Sequence, residues 1–78
     1  MNRKIKVLWD FRGPDAVKIA EHHKLHLEEY AGQTQLVLID IGLQKHSEYF
    51  VSAFITIQES NLLTVRDQLK PQRAVVVD

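Results

Sequence analysis

Cysteine is absent from the 78 residues. Disulfides, thiolate metal sites and cysteine nucleophiles are therefore excluded. A charge excess is also absent, because ten Lys+Arg balance ten Asp+Glu. Zero formal net charge gives no long-range pull on nucleic acid or an anionic membrane, so neither is expected as a partner. Glycine and proline are scarce, at three and two. The glycines stand alone at positions 13, 32 and 42, so no Gly-rich phosphate loop is present. No apolar run reaches the length of a membrane span. Ile5–Trp9 is too short and too interrupted for the apolar region of a signal peptide, and a cytoplasmic address is expected.

Apolar residues make up 45% of the chain, which argues against disorder. The length fits a single domain, residues 1–78. A domain this small buries only roughly 60% of its unfolded surface. With disulfides excluded, self-association is the remaining way to enlarge the core.

Apolar periodicity divides the chain into six segments. Ile5, Val7, Trp9 and Phe11 alternate with Lys4, Lys6, Asp10 and Arg12, the pattern of a half-buried strand broken only by Leu8. Gly13-Pro14-Asp15 ends it and opens a helix that runs to about Tyr30, with Gly32 as its stop. Ala16, Ala20, His23, Leu27 and Ala31 form the apolar stripe of that helix. Gln35–Leu43 reads as a second strand, Gln44–Ser47 as a hairpin loop and Glu48–Ile57 as a third strand. Ser60 or Asn61 caps a short helix carrying Leu62, Val65 and Leu69. Ala74–Val77 is the last strand.

The order β-α-β-β-α-β is the split βαβ, or ferredoxin-like, arrangement. Right-handed crossovers then give an α+β sandwich: a four-stranded antiparallel sheet in order 4-1-3-2 with both helices on one face. Leu8, Leu36, Leu38, Phe50 and Phe54 are expected on the other face. A monomer rarely exposes so large an apolar patch, so this face is expected to form a homodimer interface.

With its His-bearing first helix ending in His26-Leu27-Glu28-Glu29-Tyr30 and its apolar strand pair, the chain resembles the dimeric α+β barrel superfamily. That superfamily includes YciI-like, muconolactone-isomerase-like and antibiotic-monooxygenase-like proteins. The resemblance implies two ferredoxin-like protomers packed sheet to sheet. No catalytic signature of those families is matched.

Several constellations have the residue types for chemistry. His23 lies on the apolar stripe, where a neutral imidazole would serve as a general base or orient a ligand. Trp9, His23, Tyr30 and Tyr49 would line such a pocket. The ordinary reading is a core histidine with one hydrogen bond. His22, His26 and Glu29 share a helix side at the spacing H-x3-H-x2-E, which suits metal ligation but also an ordinary solvated face. Asp10, Arg12 and Asp15 gather at the first strand–helix junction. Arg12 there would take a carboxylate or phosphate, or simply form an ion pair in the turn. Phe50 and Phe54 invite comparison with RNA-binding sheets, but their spacing is four rather than two, and Leu8 stands where a strand-1 aromatic should be. Ser52 has no His and acid partner placed by sequence.

The function expected is that of a small homodimeric α+β module with no assignable reaction, which binds a small molecule or none, and no cofactor. One alternative is a small isomerase- or monooxygenase-like enzyme using His23 as base. Another is a metal-binding protein using His22, His26 and Glu29.

Overall fold

The computed structural model describes residues 3–77; Met1, Asn2 and Asp78 lie outside them. The elements are β1 (Lys4–Arg12), α1 (Ala16–Thr34), β2 (Asp40–Ser47), β3 (Phe50–Gln58), α2 (Leu62–Leu69) and β4 (Arg73–Val76). A 3-10 turn, Glu59–Asn61, leads into α2. All strand pairs are antiparallel, and the order is β2-β3-β1-β4, the expected sequence read from the other edge.

Strand alternation builds the core. Ile5, Val7, Trp9 and Phe11 stand opposite Ile57, Ile55, Ala53 and Val51. The helices cover this face. α1 buries Ala16, Ala20, Leu27 and Ala31 against it, and three alanines at these positions let the helix approach closely. α2 contributes Val65, with Leu62 and Leu69 beside it. The indole N–H of Trp9 donates to the carbonyl of Leu69 at 2.9 Å. That carbonyl lies in the last turn of α2, where it has no partner within the helix. One hydrogen bond thus ties the central strand to the end of the second helix.

Gly13 turns the chain from β1 into α1 at φ 118, a conformation that L side chains rarely adopt. Its N–H donates to the Tyr49 carbonyl at 2.9 Å, so the turn is pinned to the β2–β3 hairpin.

Three boundaries depart from the sequence reading. α1 runs through Gly32 to Thr34, and Gln35 closes it in the left-handed conformation at φ 58. The N–H groups of Gln35 and Leu36 both return to the Ala31 carbonyl, the 5→1 bond of an αL closure together with the 6→1 bond of a Schellman motif. Leu36 packs against the core cluster, so its anchoring, rather than the glycine, fixes the stop. β2 begins at Asp40 rather than Gln35, because residues 36–39 form the connection out of that closure. β2 also continues to Ser47, and the hairpin turn is Glu48-Tyr49 rather than 44–47. Asn61 precedes α2 without a side-chain capping bond.

Candidate functional site

The sheet face away from the helices holds the densest arrangement of polar groups. Even-numbered residues of β1 and β3 point to it, and the register sets its rows. Gly42, Phe54, Leu8 and Arg73 form one row; Gln44, Ser52 and Asp10 form the next. The face is less apolar than the sequence suggested. Leu36 and Leu38 lie in the connection before β2 and pack against the core cluster, not on this face. Leu8 is only 3% exposed, and Phe50 and Phe54 are half-buried. The Lys6 ammonium lies 4.2 Å from the centre of the Phe54 ring and donates to Gln44. Long cationic side chains thus cover the aromatic rings while keeping their charges in water. Gly42 lies close beside Phe54: a Cβ there would stand 3.1 Å from the ring, which would have to give by a few tenths of an ångström.

A polar network crosses four strands. Ser52, fully buried, lies at its centre. Its hydroxyl donates to the Asp10 carboxylate at 2.5 Å. Arg73 donates to the same carboxylate oxygen at 2.9 Å and approaches the Ser52 oxygen at 3.4 Å. His46 Nε2 lies 3.0 Å from the Ser52 oxygen. A hydroxyl has one proton, and here it points at the carboxylate, so His46 must donate through Nε2–H. Burial pushes the Asp10 carboxyl up, but the hydrogen bonds from Ser52 and Arg73 and the nearby Arg73 and His46 charges outweigh it. Its pKa therefore lies below the ordinary carboxylate range.

This arrangement differs from a nucleophilic triad. In a triad the imidazole takes the serine proton. Here the serine hydroxyl donates a hydrogen bond to the carboxylate, histidine donates to serine, and the hydroxyl is closed to solvent. The cluster fixes the Asp10 and Arg73 charges in place and does not present Ser52 as a nucleophile.

Beside the network, Phe50 carries two flat groups. The His46 imidazole stacks on it at 4.3 Å with 27° between planes. The Arg12 guanidinium lies 4.0 Å from its centre. Among the described residues, no carboxylate pairs with Arg12. The face holds Lys4, Lys6, Arg12 and Arg73 against Asp10 and Asp40. A neutral chain therefore concentrates positive charge on one side of its sheet.

The other sequence candidates separate. Trp9 is 5% exposed, and His23 packs against it, with ring centres 5.1 Å apart and Phe11 at 5.3 Å. Burial, aided by the nearby His26 charge, lowers the His23 pKa, and its Nε2 is buried without a partner among the described residues. Tyr30 and Tyr49 do not join this pair. Tyr30 hydrogen-bonds Gln68 on α2 and lines a separate cavity of about 380 Å³ with Leu36 and Val65. Tyr49 sits in the hairpin turn, 60% exposed. His22 and His26 meet edge to face at 4.5 Å on the exposed side of α1. No group of three potential metal ligands forms among the described residues, so Glu29 does not complete that set. Asp10 and Arg12 act apart, and Asp15 makes no capping bond.

Sequence reasoning missed His46 and Arg73. His46 falls in the hairpin loop expected from sequence, and only the extension of β2 to Ser47 brings it onto the sheet. Arg73 precedes the expected last strand but pairs with Leu8.

No helix among the described residues is long and apolar enough to cross a membrane. No protein-family model, curated protein or solved structure matches the chain.

Proposed function

We propose that this chain is a non-catalytic binding module of ferredoxin-like topology whose open sheet face takes a small ligand bearing a carboxylate or phosphate. The observation that carries the reading is Arg12. Its guanidinium is held over the Phe50 ring, 4.0 Å from the centre, and has no acidic partner among the described residues. A planar, pre-positioned guanidinium suits two-point recognition of a carboxylate or phosphate. Asp10, the nearby acid, is already occupied by Ser52 and Arg73, so it competes weakly for Arg12. His46 flanks the same ring and supplies a second polar group.

A small ligand suits this face better than a second copy. The apolar members are already covered, and face-to-face packing would strip water from Lys6, Asp10, Arg12 and Arg73 without assured partners. The dimeric α+β barrel likeness therefore extends in this reading to element order, not to its mode of assembly.

Inorganic phosphate and benzoate, titrated separately at constant ionic strength, test the proposal through amide 1H–15N spectra. Saturable shifts confined to Arg12, His46, Phe50 and their neighbours are expected with at least one anion. Arg12→Gln should weaken that binding about tenfold or more, the loss of roughly 1.5 kcal/mol for a charge-assisted hydrogen bond. Shifts that scatter over all basic residues, or that survive Arg12→Gln unchanged, would refute it.

A further inference from the structure

The sheet has two free edges, and they differ in protection. β2 turns the backbone groups of Ile41, Leu43 and Lys45 outward, since the intervening residues pair with β3. The outward N–H of Ile41 is taken by the carboxylate of Asp40 at 2.9 Å. A register irregularity between Lys45 and Ser47 bends the same edge. Self-capping, an edge lysine and a bulge are the usual devices against strand addition.

β4 has none of these. The N–H of Val77 donates to the Lys4 carbonyl, which sets the phase of the ladder. Val75 then turns its backbone groups inward to Lys6, and Ala74 and Val76 turn theirs outward. Among the described residues, no side chain caps these outward groups. The side chains are bare as well: Val75, Val76 and Val77 are 44%, 51% and 40% exposed. They lie on both faces of the strand, so neither helix layer nor open face covers them.

We infer that β4 pairs antiparallel with β4 of a second copy about a twofold axis at Val75, joining the two sheets into one of eight strands. The phase permits this register. With Val75 opposite itself, Ala74 and Val76 of each copy face each other with all their outward N–H and C=O groups in position to bond. Val75 then occupies a non-hydrogen-bonded pair, where side chains approach most closely, at a Cα separation of about 4.5 Å. The uncharged edge admits a second copy without repulsion. Ala74–Val77 carries no charge, and the nearest cation, Arg73, is neutralised by Asp10 in its own chain. Self-pairing therefore sets no unpaired like charges against each other. Three bare valines at a four-residue strand make a contact smaller than a standard specific interface. The dimer should accordingly be weak and concentration-dependent.

Sedimentation equilibrium from about 10 µM to about 1 mM tests this. The wild type should rise from its 9.0 kDa chain mass toward twice that value. Val75→Lys places two ammonium groups across the axis and should stay monomeric. Ala74→Pro removes one outward N–H without touching the β1 ladder, and should weaken association at least tenfold while leaving the far-ultraviolet spectrum unchanged. Amide exchange at Ala74 and Val76 should slow as concentration rises. A wild type that remains at 9.0 kDa throughout overturns the inference. So does a dimer that persists in Ala74→Pro, or one whose protected amides lie on β2 or the open face.

Discussion

Replacing Ser52 by Ala removes one hydroxyl from the centre of the four-strand network and changes almost no volume. Three contacts are lost: the short donation to Asp10, the acceptance from His46 and the long contact with Arg73. Hydrogen bonds to charged groups contribute about 1.5–3 kcal/mol. The Asp10 side chain remains 17% exposed and keeps Arg73, so water and the guanidinium recover part of the loss. The expected cost is about 1–2 kcal/mol at neutral pH. The pH dependence separates this account from simple packing. The Asp10 pKa is lowered in the folded protein. Its contribution to stability is therefore present above the ordinary carboxylate pKa of about 3.9, and is lost as pH falls through the folded value. Below that value Asp10 is protonated with or without Ser52. Urea midpoints of wild type and Ser52→Ala should differ at pH 7 and converge toward pH 2. In an Asp10→Asn background the Ser52→Ala penalty should shrink by half or more. A penalty that is the same at both pH values, or the same in both backgrounds, would refute the network as described.

Other substitutions probe the rest of the fold. Gly32 lies inside α1 with open space around its Cα, so Gly32→Ala should stabilise by about 0.5–1 kcal/mol in thermal or urea unfolding. Gln35 closes the helix at φ 58, and Gln35→Gly should raise stability by up to about 1 kcal/mol by relieving the left-handed strain. His23 has a lowered pKa, so the unfolded chain takes up a proton first as pH falls below about 6.5, and stability should decline from there through the folded value. Trp9 fluorescence, reporting the ring 5.1 Å away, should titrate with His23 at a midpoint below 6.5, and the change should vanish in His23→Leu. His23→Asp should cost a few kcal/mol in urea unfolding, and His22→Asp less than about 0.5.

The legibility of this chain followed the burial of its segments. β1, β3 and the stripe of α1 have one face against the core, and there hydrophobic alternation and helical period carry the information. Trp9 and His23 were placed together because helical phase turns His23 inward. β2 is an edge strand with mostly exposed residues, so the apolar stretch 36–39 before it reads as strand instead. Leu36 and Leu38 are apolar because they anchor the exit from α1, and that task looks the same in sequence as strand alternation. The open-face network was invisible for a different reason. Asp10, His46, Ser52 and Arg73 belong to four strands and meet only through register, which a single sequence does not reveal for residues so far apart.

The side-chain Nε–Hε resonance of Arg12, followed during a phosphate titration at constant ionic strength, tests the central claim most directly. A saturable shift of that resonance, larger than those of Arg3, Arg66 and Arg73 and accompanied by His46, is the predicted result. An Arg12 signal that stays in place while phosphate binds elsewhere, or that moves only in step with every other arginine, would contradict the assignment of this face as the binding surface.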